Sequence, residues 1–197
     1  MQNIFLSNET PSNFSEKNDS LFPEAPERCP FSGCHLSIKM KKHGFYQRYV
    51  VSHKFSGYIY IRRYICPCCG RTISFLPSFL IPYFQYALPY ILTFLKGFFR
   101  IGKSIRSYLF WFQEKYDGFS RRHFRYYINR LSRNQKLIQY VLNLTGQGMI
   151  PQEDAPSSQA FAKGFLEKAF EVSPHYFSYR FFNLTGKSIL APSEMIS

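Results

Sequence analysis

The rhythm of apolar and polar positions changes several times along this 197-residue chain, and each change marks a different expected element. Residues 1–28 mix Asn, Ser, Glu and Pro without a sustained period, which predicts a flexible leader. Over residues 29–71, runs of β-branched and aromatic side chains at 45–51 and 58–65 predict two strands joined near Gly57. Residues 72–95 then carry no charge, a stretch long enough to raise a membrane span. Pro77, Pro82 and Pro89 argue against one, because each would break a free-standing helix, and Ser74, Ser78 and Gln85 lower its hydrophobicity. A buried connector feeding a helix is the better expectation.

A helical period follows in three stretches. Pro89 suits a first turn, and Ile91, Leu92, Leu95 and Phe99 form a stripe that stops at Gly102. Ser104 can cap a second helix with Ile105, Leu109 and Phe112 at helical spacing, ending at Tyr116, Asp117 and Gly118. Ser120 can cap a third that runs to about Arg133. Beyond Asn134 the pattern predicts a short helix, an acidic linker at 151–156, a helix near 158–172 and an aromatic tail. The tetrapeptide Asn-Leu-Thr-Gly occurs at 143–146 and 183–186, too short an echo to argue duplication.

Charge changes the picture most. Basic side chains outnumber acidic ones 25 to 12, for a formal net charge of +13. The excess lies in two blocks, +8 over residues 29–71 and +9 over residues 96–136. A field so localised attracts a polyanion, nucleic acid first, although an anionic membrane surface satisfies the same electrostatics. The 45% hydrophobic content supplies a core and excludes wholesale disorder. Residues 1–18 lack a basic segment followed by an apolar run, so no signal peptide and a cytoplasmic location are expected.

In a reducing compartment five cysteines speak for metal ligation rather than disulfides. Cys29-Pro30-Phe31-Ser32-Gly33-Cys34 and Cys66-Pro67-Cys68-Cys69-Gly70 read as C-x4-C followed by C-x2-C, with Cys29, Cys34, Cys66 and Cys69 as ligands. Four thiolates suit tetrahedral Zn²⁺ and leave no position for water, so the zinc is expected to be structural. Pro30 and Gly70 suit tight knuckles that aim backbone N–H groups at the sulfurs. Two knuckles separated by two strand-like runs make a zinc ribbon. Cys68 is the spare, since pairing it with Cys66 leaves only one residue between ligands, with substitution for a neighbouring Cys its alternative role, and His35, His43 and His53 are weaker ligand candidates.

On a 100° wheel from Arg121, Phe124, Tyr127, Ile128 and Leu131 occupy about 240° to 340°, while Arg121, Arg122, Arg125, Asn129, Arg130 and Arg133 occupy about 0° to 180°. With a helix and a short turn before it, this is the layout of a helix-turn-helix whose last helix enters the major groove. Arg122, Arg125 and Asn129 are the expected base readers, since Arg suits guanine and Asn suits adenine. Ser120 with the helix N-terminus can hold a phosphate, and Lys103, Arg106 and Lys115 are expected on phosphates as well.

With these knuckles and the segment Gly70-Arg71-Thr72-Ile73-Ser74-Phe75-Leu76-Pro77-Ser78-Phe79-Leu80-Ile81-Pro82-Tyr83, the chain resembles an uncharacterised family of small bacterial proteins with a zinc-ribbon-like front end. That family is similar to the N-terminal DNA-binding regions of insertion-sequence transposases. The resemblance covers roughly residues 29–135 and implies a soluble protein, zinc at the four named cysteines and a helix-turn-helix after the Leu-Pro segment.

Enzymatic readings fare poorly. Between Arg28 and Gln152 only Glu114 and Asp117 are acidic, too few for a two-metal nuclease core. Residues 181–188 end like a phosphate-binding loop but place Phe181 where its first glycine belongs. The expectation is therefore an α+β chain: a leader at 1–28, a small zinc-ribbon hairpin domain at 29–74, a helix-turn-helix domain at 75–135 and a helical extension at 136–197. It would be a non-catalytic, nucleoid-associated protein partnered by double-stranded DNA, as a regulator or a mobile element's end-recognition part, with a homodimer compatible and no membrane partner. The alternative is a fragment or subunit of a transposase or nuclease acting with a separate catalytic chain.

Overall fold

The computed structural model describes the chain apart from residues 35–37, 103, 116–117, 149, 151–156 and 192–197. A small four-stranded sheet is followed by a mainly helical region, so the fold is α+β. The chain forms two compact units, Met1–Ala87 and Leu88–Ser197.

The first unit contains β1 (Gln2–Phe5), α1 (Pro11–Lys17), a 3-10 turn at Asn18–Leu21, β2 (Lys41–Ser52), β3 (Phe55–Ile65) and β4 (Thr72–Pro77). Strand order is β1-β4-β3-β2, with β1 parallel to β4 and the other pairs antiparallel. The alternation in β2 and β3 buries Val50, Ile59 and Ile61 on one face. The hairpin turns at His53 and Lys54, because Ser52 pairs with Phe55; Gly57 lies inside β3 opposite Val50. A register shift between Lys42 and Phe45 coincides with Gly44 at φ 84°, where a bulged strand needs a left-handed residue.

Two expectations need correction here. Residues 1–28 are not a flexible leader: β1 pairs with β4 from Gln2↔Ser74 to Phe5↔Pro77, and Phe14 is fully buried. Phe14 lies 5.2 Å from Phe22 and 5.5 Å from Phe79, ring centre to ring centre. Three phenylalanines, Phe5, Phe14 and Phe22, fasten this polar segment one at a time, which leaves no periodic trace in the sequence. Nor are residues 72–87 only a connector. They begin as β4, uncharged because Ile73 to Pro77 are buried. The boundary placed near residue 75 consequently falls between Ala87 and Leu88.

The second unit holds α2 (Leu88–Ile101), α3 (Ile105–Lys115), α4 (Arg121–Arg133), α5 (Gln135–Leu144), α6 (Ser158–Val172) and α7 (Pro174–Thr185). Residues 136–197 are no separate extension. Among these residues the described helices α5, α6 and α7 build this unit with α2 and α4, burying Phe161, Phe165, Phe177 and Phe181. The aromatic tail is α7 itself, which explains why the loop-like segment at 181–188 has no strand before it. Phe94 is the hub of α2, α3 and α4: it stacks on Phe119 at 4.3 Å and meets Phe112 edge-on at 4.9 Å. On α3 the buried positions are Tyr108 and Phe112, whereas Ile105 and Leu109 are only half-buried. No described helix is long and apolar enough to cross a membrane.

Candidate metal centre and basic helix face

The sulfur atoms of Cys29, Cys34, Cys66 and Cys69 all lie within 4.8 Å of one another. Cys29 approaches Cys69 at 3.7 Å and Cys34 approaches Cys66 at 3.6 Å. A tetrahedral ion at about 2.3 Å from each sulfur sets neighbouring sulfurs about 3.8 Å apart, close to the two measured pairs, so these four could hold a metal ion. Cys68 points out to solvent. Of the histidines weighed as ligands, His35 lies outside the described residues, and His43 and His53 are not in the cluster.

The knuckles are tight turns made by the backbone. The Cys34 N–H donates to the Phe31 carbonyl at 3.1 Å, and the Gly70 N–H donates to the Cys66 carbonyl at 3.0 Å. Gly70 has φ 68°, a conformation that any side chain would strain. Backbone N–H groups of Cys69 and then Cys68 draw the Cys66 thiol down to about 6, while burial pushes the Cys29 thiol up to about 12. Crowded sulfurs cannot all ionise by themselves, and a cation among them removes that conflict. Behind the site, Met40, Tyr64, Ile73 and Phe75 form a small core with Cys66, closed by Phe22 and Ala25 of the N-terminal segment.

Part of the basic block at 29–71 serves the fold. The Arg48 guanidinium donates to the carbonyls of Ile81 and Phe84 (2.8 Å to Phe84), and Arg62 is buried over the Phe45 ring at 3.7 Å. Lys39 pairs with Glu27 at 2.7 Å. Lys41, Lys42, Lys54 and Arg71 remain exposed.

On α4 the side chains divide cleanly. Phe124, Tyr127, Ile128 and Leu131 are buried, while Arg121, Arg122, Arg125, Asn129 and Arg133 are exposed. Arg130 is half-buried, 4.9 Å over the Tyr126 ring. Among the described residues no ion pair reaches α4. Ser120 is its N-cap and accepts from the His123 N–H, while the Ser120 N–H donates to His123 Nδ1 at 3.1 Å. This reciprocal cap was not anticipated, because His replaces the usual Glu or Gln three residues into the helix. One edge of the basic face adjoins α6: the Ser158 hydroxyl donates to Ser132 at 3.1 Å. On that edge Arg121 and Arg125 border a cleft of about 220 Å³ with Ser104 and Gln159. Arg122, Asn129 and Arg133 lie farther from it around the helix. Arg106 is exposed on α3, whereas Lys103 and the Lys115 side chain lie outside the described residues.

Residues 29–106 match the family described as a domain of unknown function (DUF6431). The matched segment contains the four cysteines, β2 to β4 and α2, and it stops in the first turn of α3, before α4. No curated protein matches the chain, and no solved structure does.

Proposed function

We propose that this chain is a non-catalytic, zinc-stabilised protein that binds double-stranded DNA through α4. The observation that carries the reading is the exposed cationic face of α4, which has no carboxylate partner among the described residues and lies opposite a fully buried apolar stripe. A solvated surface helix usually mixes charge signs along its face. In this reading α3 and α4 act as a helix-turn-helix, Arg122, Arg125 and Asn129 meet base edges, and Arg106, Arg121 and Arg133 meet phosphates. The ion is Zn²⁺, because four clustered thiolates suit its tetrahedral preference and would give it a closed, structural site. The chain then serves as a regulator or as the end-recognition part of a mobile element, in which case a separate chain supplies catalysis.

The test is selection of a random duplex pool by the metal-loaded protein at two salt concentrations. An enriched motif supports specific recognition, and half-sites one helical turn apart would indicate a homodimer. In that assay Arg125→Ala is expected to cost about 1 to 3 kcal/mol and to relax one base position. Retention without any motif would reduce the reading to non-specific electrostatics, and no retention would overturn it. Metal analysis well below one zinc per folded chain would remove the zinc assignment.

A further inference from the structure

The β2–β3 hairpin carries an exposed aromatic surface that the α4 reading does not use. Tyr49, Tyr58 and Tyr60 are 38%, 60% and 40% exposed. The pairs Tyr49↔Tyr58 and Gln47↔Tyr60 are adjacent in the register, so these side chains share one face of the sheet. Val50, Ile59 and Ile61 point to the opposite face and are buried. The rings are held at their edges. The Tyr49 and Ser56 hydroxyls are 2.7 Å apart, Gln47 Nε2 donates to Tyr60 Oη at 3.0 Å, and Tyr49 meets Tyr58 edge-on at 5.2 Å. Lys54 lies in the turn at one end of this surface, and Lys41 and Lys42 lie at the far end of β2, all exposed. No carboxylate occurs between Arg28 and Glu114, so none lies on these strands.

We propose that this tyrosine face is a stacking platform for unpaired bases, and that its occupant is single-stranded DNA. Aromatic faces left in water are matched by base faces, which a duplex keeps hidden and an unpaired strand exposes. The lysines and the missing carboxylates match a phosphate backbone rather than an acidic or neutral protein surface. Fixed rings lose little freedom when a base settles on them. DNA is preferred over RNA only because α4 is read as a DNA-binding helix, and in that respect the inference rests on the proposed function.

Binding of labelled oligo-dT to the metal-loaded full-length chain tests this at low and moderate salt. Tyr58→Ala and Tyr60→Ala are each expected to weaken oligo-dT binding about tenfold. Tyr58→Phe keeps the ring and its edge contact with Tyr49 and is expected to bind as wild type. Metal content and melting temperature check that the variants fold. Inorganic polyphosphate, with the charge but no base, should bind wild type and the alanine variants equally. Failure of wild type to bind oligo-dT, equal binding by the alanine variants, parallel losses with polyphosphate, or tighter binding of oligo-rU would each overturn the proposal. Arg125→Ala separates the two readings: it should weaken selected duplex and leave oligo-dT binding unchanged.

Discussion

Tyr83 shows how one side chain can sit against the preference of its backbone. It has φ 67° and is 80% exposed, in a turn after Pro82 that is closed by the Phe84 N–H on the Ile81 carbonyl at 3.1 Å. A left-handed conformation costs a non-glycine residue roughly 1 to 2 kcal/mol, whereas a new glycine loosens the unfolded chain by about 0.4 to 1 kcal/mol. Relief of strain is the larger effect. Tyr83→Gly is therefore expected to stabilise the protein by up to about 1 kcal/mol in urea unfolding, and a loss of stability would show that the exposed ring contributes packing. Gly97 presents the reverse case. Alanine within α2 should gain about 1 kcal/mol of helix propensity, yet its Cβ would lie 2.5 Å from Tyr108 Oη. That hydroxyl is buried and donates to the Phe94 carbonyl at 2.6 Å, a bond whose loss costs about 1 to 3 kcal/mol. Gly97→Ala should thus destabilise wild type but be neutral or stabilising in a Tyr108→Phe background, as a double-mutant cycle would read.

Among elements, α4 was the most legible, because its 3.6-residue period and its cap occur together in sequence. The reciprocal Ser120–His123 cap makes a definite prediction: Ser120→Ala should cost about 1 kcal/mol in chemical unfolding. A change under a few tenths would mean that water replaces the cap. The repeated Asn-Leu-Thr-Gly also acquires a physical meaning at this scale. Both copies stop helices, α5 and α7, with Gly146 at φ 72° and Gly186 at φ 67°. Thr145 and Thr185 each donate a hydroxyl to the carbonyl four residues back, at 2.8 and 2.6 Å. Shared helix-stopping chemistry accounts for the echo without duplication. β1 and β4 were illegible as strands for the opposite reason. β1 is four residues long, and β4 is buried on both faces, so neither alternates.

For the whole molecule, the division into two units limits how far the influence of a metal held by the four cysteines would reach. The cysteines join the small cluster around Tyr64 and Phe75, whereas the buried Val50, Ile59 and Ile61 of the hairpin lie outside it. With a metal bound there, a strong chelator is expected to speed amide exchange first at Cys66 and Gly70, whose bonds close the second knuckle. The Val51 and Ala87 amides, which bond to Gln85 and Val51, should exchange more slowly, and the helical unit should change least. Uniform loss of protection across both units would mean that the metal supports the entire fold.

Local chemistry by itself determined the four clustered cysteines, the sidedness of α4 and the bounds of α6, because each is written in spacing over a few residues. Only tertiary structure decided that Phe5, Phe14 and Phe22 anchor the first segment and that Arg48 and Arg62 turn inward. It also decided that the last third of the chain completes the helical unit. These outcomes depend on partners far away in sequence, such as Ser78 at 3.1 Å from the backbone of Ser7, and on whether a charged or aromatic side chain finds a buried place better than water.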